Sequence, residues 1–129
     1  MAETLILSPF EKALASLEAI LKLPKDDIVR DATIQRFEYT YELAWKMIKR
    51  HLEWAGESNV DSLTRKDLYR EAERTGLVLN AEAWFDYHDA RNLTSHTYDE
   101  AKAEEVYAVA RRFAADARLL LNALIQHHG

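Results

Sequence analysis

Cysteine is absent from the 129-residue chain, and with it go disulfides, thiolate metal sites and a cysteine nucleophile. Glycine (3) and proline (2) are scarce, which leaves little room for a fold built from many turns. No apolar run is long enough to span a bilayer. The N-terminal MAETLILSPFEK has a short apolar patch but no basic region ahead of it, so it does not read as a signal peptide, and a cytoplasmic location is expected. Positive charge is also short: 17 Lys and Arg against 22 Asp and Glu give −5. That argues against the broad basic face of non-specific nucleic-acid binding and confines any RNA contact to a local site.

What remains is helical pattern. Hydrophobic residues make up 48% of the chain, enough for one core, so residues 1–129 are expected to form a single helical-bundle domain. Ser8-Pro9-Phe10-Glu11 has the form of a capping box with proline at the first helical position. Phe10, Ala13, Leu14, Leu17, Ile20 and Leu21 then follow one helical face until KLPKDD interrupts it. A second and longest helix is expected from about Asp27 to Ala55, its stripe running through Ile34, Phe37, Tyr41, Ala44, Trp45, Ile48 and Leu52, with Gly56 ending it. Thr64 is expected to cap a short helix that reaches Thr75 and stops at Gly76, and Asn80 to cap a fourth whose face carries Ala81, Trp84, Phe85 and His88. Thr97 and Glu100 have capping-box spacing for a fifth helix with a stripe from Ala103 to Leu124. The expectation is an all-α antiparallel up-and-down four-helix bundle, with the Thr64 to Thr75 helix added at one end. The final QHHG reads as a frayed end or a tag remnant and is left out of the chemistry.

Between the last two helices lies RNLTSHTYDE, Arg91 to Glu100. A helix N-terminus favours anions, Arg91 offers a fork of donors matched to phosphate oxygens, and His96 can exchange a proton near neutral pH. The combination fits a phosphodiester site. In that chemistry the RNA's own 2′-hydroxyl attacks phosphorus, His96 moves the proton and Arg91 stabilises the developing charge, without a metal or other cofactor. One histidine does not easily serve as both acid and base, so two copies facing each other in a homodimer are expected. Against this, a Thr97 cap would occupy free N–H groups, and Asp99 and Glu100 place negative charge nearby. The same residues also read as an end cap with a surface salt bridge, which on spacing alone is the commoner role of an arginine and a histidine at a helix corner. Trp45, Trp84 and Tyr41 read as core, Trp54 as a candidate interface residue and DEAKAEE as a solvated face. His51 and His88 lack the Glu-x-x-His spacing of di-metal bundles, so they carry no ligand role.

RNLTSHTY resembles the Arg-x4-His-x-Tyr motif of HepT toxins, which belong to the HEPN superfamily of small helical bundles. RFEYTYELAWKMIKRHLEW (Arg36 to Trp54) and YREAERTGLVLNAEAWFDYHDARNLTSHTYDE (Tyr69 to Glu100) are similar to the nucleotidyltransferase substrate-binding proteins of that superfamily, and the likeness extends from about Pro9 to Leu121. The resemblance implies a metal-independent endoribonuclease toxin of a type VII-like toxin-antitoxin pair. Arg91 and His96 would be its catalytic pair across a homodimer or higher homo-oligomer, with Asn92 in support. Tyr98 would accept AMP from a cognate minimal nucleotidyltransferase that acts as antitoxin, and RNA would be the substrate. The alternative within the same family is a non-catalytic substrate-binding subunit of a two-component nucleotidyltransferase.

Overall fold

The computed structural model describes residues 4–129, so the first three residues of the N-terminal stretch read above lie outside it. Five α-helices follow one another: α1 (Ser8–Leu21), α2 (Asp27–Trp54), α3 (Arg65–Arg74), α4 (Ala81–Leu93) and α5 (Glu100–His128). Short 3-10 turns occupy Val60–Ser62 and Thr94–His96. The helices α1, α2, α4 and α5 form the antiparallel bundle, α2 and α5 are its long members, and α3 packs on α4 and α2. This is the all-α architecture the pattern predicted.

The helix ends show which local signals were obeyed. Gly56 (φ +88°) and Gly76 (φ +83°) lie in the left-handed region just beyond α2 and α3, where a residue without Cβ is least strained. Thr64 accepts from the Asp67 N–H (3.1 Å) and Asn80 from the Glu82 N–H (3.0 Å), as expected of caps. The expected capping box at Ser8 and Glu11 does not form. Leu7 already has helical dihedrals (φ −96°, ψ −13°), so Ser8 lies inside the helix and the Glu11 N–H donates to the Leu7 carbonyl (3.0 Å). The Thr97 cap does not form either. Asp99 is the extended residue before α5 and its carboxylate accepts from the Ala101 N–H (2.9 Å) and the Lys102 N–H (3.3 Å).

Aromatic rings fill the centre. Phe113 of α5 meets Phe37 edge-on (5.2 Å between centroids), Tyr87 (5.3 Å) and Trp84 (5.8 Å), all fully buried. On α4 the buried face is Ala81, Trp84, Tyr87 and Ala90, so it is turned from the predicted one: Phe85 and His88 are half-buried at its edge. Tyr87 turns inward because its hydroxyl donates to Asp116 of α5, which lets a phenol be buried with its oxygen satisfied.

One further feature departs from the sequence reading. The segment QHHG is not frayed: α5 continues to His128, which meets the buried His51 of α2 (2.9 Å) and accepts from the Leu5 N–H (3.1 Å). Trp54 is half-buried against these rings, 4.5 Å from that of His128. At the opposite end Arg30 of α2 is almost fully buried, and its Nη1 donates to Glu104 of α5 (3.2 Å), which Lys25 also reaches. These cations hold the first turns of α5 against the start of α2 and so fix the corner that leads into α5.

Candidate functional site at the corner between α4 and α5

The corner is built by hydroxyls folding back on the end of α4. Thr94 Oγ1 donates to the Arg91 carbonyl (2.7 Å), Ser95 Oγ to the Asn92 carbonyl (3.3 Å) and Thr97 Oγ1 to the Thr94 carbonyl (3.3 Å). Carbonyls that a helix end leaves without N–H partners are thereby satisfied, and the chain tightens into the 3-10 turn before α5. The hydroxyls of RNLTSHTY thus serve the backbone. What the turn presents outward is His96 and Tyr98, both exposed (Tyr98 at 85%), with ring centroids 6.2 Å apart and edge to face.

Arg91 stands in the last turn of α4, half-buried. Its Nε donates to Glu42 of α2 (2.9 Å), Nη1 donates to Thr94 Oγ1 (3.3 Å), and Nη2 lies 3.9 Å from Glu38. Glu42 is itself fixed from the other side by the Trp45 Nε1–H (3.1 Å). The guanidinium is therefore oriented by a carboxylate, while both Nη atoms keep N–H donors for a ligand. Asn92 is exposed beside it.

The structure brings His96 and Tyr98 together and ties Arg91 to the same turn through Thr94; among the described residues no hydrogen bond joins Arg91 to His96 directly. The expected open helix N-terminus is not available, because the Asp99 carboxylate occupies the first N–H groups of α5. An incoming phosphate would instead meet Arg91. Glu38 and Glu42 were missed by the sequence reading. Their four-residue spacing puts both on one face of α2, but the pattern does not reveal that α4 lies across from it.

A second polar cluster adjoins this one. The Tyr41 hydroxyl, at the centre of the α2, α3 and α4 contact, meets the Tyr69 hydroxyl and His88 Nδ1 (3.1 Å) and accepts from Arg65 Nη1 (3.2 Å). Burial holds the Tyr41 and Tyr69 phenols neutral by raising their pKa values. Burial, with the Arg65 charge, lowers that of His88. Among the described residues no cluster of His, Asp or Glu has the geometry of a metal site, and no helix is long and apolar enough to cross a membrane.

The fold is that of a known group. Residues 5–126 match the family described as nucleotidyltransferase substrate binding protein like, and the chain belongs to it. Within it the protein is HepT-like. It is 37% identical to a Haemophilus influenzae protein named "Probable ribonuclease HepT", over 99% of this chain and 97% of the relative. A solved structure from Haemophilus influenzae, presented as the fold of a substrate binding domain of a nucleotidyltransferase, superposes with a TM-score of 0.86 at 36% identity. It covers 94% of this chain and 100% of its own. A crystal structure from Thermus thermophilus superposes with a TM-score of 0.76 at 34% identity, over 89% and 98% respectively.

Proposed function

We propose that the protein is a metal-independent endoribonuclease, the toxin of a two-component pair, and that Arg91 and His96 cut RNA at the corner between α4 and α5. The observation that carries the reading is the exposed presentation of His96 and Tyr98 beside a carboxylate-oriented Arg91, in a chain 37% identical to a relative named a probable ribonuclease. In the reaction the 2′-oxygen forms a bond to phosphorus as the bond to the 5′-oxygen breaks. One imidazole takes the 2′ proton and a second gives a proton to the leaving oxygen. Two copies of the corner facing across a homodimer supply both. Arg91 offers its Nη donors to the oxygens that gain charge at phosphorus, and Asn92 supports it.

Tyr98, two residues from His96, is the acceptor of AMP from a minimal nucleotidyltransferase partner. A phosphodiester on its hydroxyl adds negative charge at the mouth of the site, where it attracts Arg91 and repels the phosphates of RNA. The test is to treat the parent and Tyr98→Phe with that partner and ATP and then assay cleavage of labelled RNA. The parent gains one adenylate and stops cutting, whereas Tyr98→Phe gains none and keeps cutting. Adenylation of Tyr98→Phe would move the acceptor elsewhere, and undiminished cutting by adenylated parent would remove the switch.

A second reading keeps the same fold and partner but makes the chain a non-catalytic subunit that presents a substrate to the nucleotidyltransferase. The two carboxylates facing Arg91 and the net charge of −5 favour it. The two readings separate on whether His96→Ala changes RNA cleavage.

A further inference from the structure

Arg65, in the first turn of α3, is a half-buried cation without a carboxylate partner among the described residues. Nearby Lys49 pairs with Asp61 (2.8 Å), Arg70 with Asp67 (3.1 Å) and Arg91 with Glu42 (2.9 Å). Arg65 is nonetheless held firmly. Its guanidinium carbon lies 3.6 Å over the Trp45 ring, and Nη1 donates to the Tyr41 hydroxyl (3.2 Å). Partial burial of a charge with no carboxylate beside it costs stability, which the Trp45 face and the tyrosine hydroxyls offset without neutralising the charge. A flat cation fixed on an indole and lining an open hollow is suited to an external partner that is both planar and anionic.

Its surroundings narrow the partner. The Trp45 ring under Arg65 donates its N–H to Glu42, the carboxylate that orients Arg91, so the shelf adjoins the proposed cleavage corner through a single side chain. Further along the same helix Lys66 (5.5 Å) and Arg70 (5.3 Å) sit over the half-buried Phe85. An open hollow of about 260 Å³ beside Arg65 is lined by Trp45, Val60, Leu63 and Leu68, and its one carboxylate, Asp61, is neutralised by Lys49. Cations alternating with aromatic rings beside a hollow match the alternation of phosphate and base along a single strand.

We propose that the shelf formed by Arg65 and Trp45 is a subsite for a nucleotide of single-stranded RNA that flanks the scissile one. Its base stacks on the outer face of the guanidinium, and its phosphate takes the free N–H groups of Arg65. The position of the cut rests on the ribonuclease reading; the binding itself does not.

The test measures binding of a short labelled single-stranded RNA to full-length His96→Ala protein at several salt concentrations. Adding Arg65→Gln lowers affinity by about tenfold and reduces the slope of log K against log salt by about 0.7, the value for one phosphate contact on a single strand. Adding Trp45→Leu instead lowers affinity with the slope unchanged, because the platform is lost and the charge remains. In protein with His96 intact, Arg65→Gln raises KM for RNA more than it lowers kcat. Unchanged affinity and slope in a folded Arg65→Gln protein would overturn the proposal. So would loss of nucleotidyltransferase docking with RNA binding intact, which would make the shelf a protein contact. If the parent does not cut RNA but binds it through Arg65, the ribonuclease reading fails and the subsite stands. If the parent cuts and Arg65→Gln behaves as the parent does, the subsite fails and the ribonuclease reading stands.

Discussion

Glu42 determines how Arg91 is presented. One of its oxygens accepts from Arg91 Nε and the other from Trp45 Nε1, so the carboxylate couples the orientation of two side chains that the proposed function uses. Removing it leaves Arg91 charged but free to sample other rotamers, which costs catalysis through lost alignment more than through lost charge. Glu42→Ala is therefore expected to lower kcat about tenfold with little change in KM. Glu42→Gln is expected to recover part of the loss, since its amide oxygen can still accept from Arg91 but cannot serve both donors. Steady-state kinetics on a dinucleotide check this, and a purely structural Glu42 would give no such difference between the two variants. The proposed site residues Arg91, Asn92, His96 and Tyr98 could be picked out in the sequence because they fall within eight residues. Glu42 was not, because the chain pattern gives the inward face of α2 but not which helix stands opposite each turn.

The helix boundaries show how local competition decides between two plausible caps. Thr97 and Asp99 both precede α5, and the spacing to Glu100 favoured Thr97. In the fold the Thr97 hydroxyl donates to the Thr94 carbonyl, and Asp99, the stronger N-cap and the nearer one, takes the free N–H groups. Asp99→Ala is expected to cost about 1 kcal/mol, and Thr97→Ala much less, in denaturant unfolding. The reverse order would restore the capping box. At the other end of the bundle His128 accepts from the Leu5 N–H, so its proton lies on Nε2 and is donated to His51 Nδ1; His51 is thus held neutral. Burial, with His127 and His128 alongside, depresses the His51 pKa from 6.5 to about 4. Below about pH 6.5 the unfolded chain therefore takes up a proton that the folded chain refuses, and stability falls as pH drops from there towards about 4. On the order of 2 kcal/mol is lost across that window, and the full contribution is present above it. Thermal unfolding of His51→Phe should show a flatter pH dependence over this range. An unchanged profile would mean that His51 does not set it. The terminal QHHG gave no sign of this docking, because a short polar segment shows no periodicity and its partner, His51, lies on a distant helix.

At the scale of the molecule, the bundle follows from hydrophobic period and from two glycines, Gly56 and Gly76, which the sequence pattern placed as helix stops and which have positive φ. The internal polar cluster of Tyr41, Tyr69, His88 and Arg65 was hidden in the same stripes that predicted a core, since a tyrosine at an apolar position reads as packing and its hydroxyl partners lie on other helices. That cluster and the corner between α4 and α5 share Glu42 and Trp45, which makes one face of the bundle chemically distinct within an acidic protein. We propose that this face cuts RNA through His96. The most direct measurement is cleavage of end-labelled RNA in EDTA by purified, unadenylated protein beside His96→Ala, with the product ends analysed. Cleavage by the parent leaving 2′,3′-cyclic phosphate is expected, with a loss of about 100-fold in His96→Ala at unchanged melting temperature. Absence of cleavage by the unadenylated parent, or equal cleavage by both proteins, would contradict it.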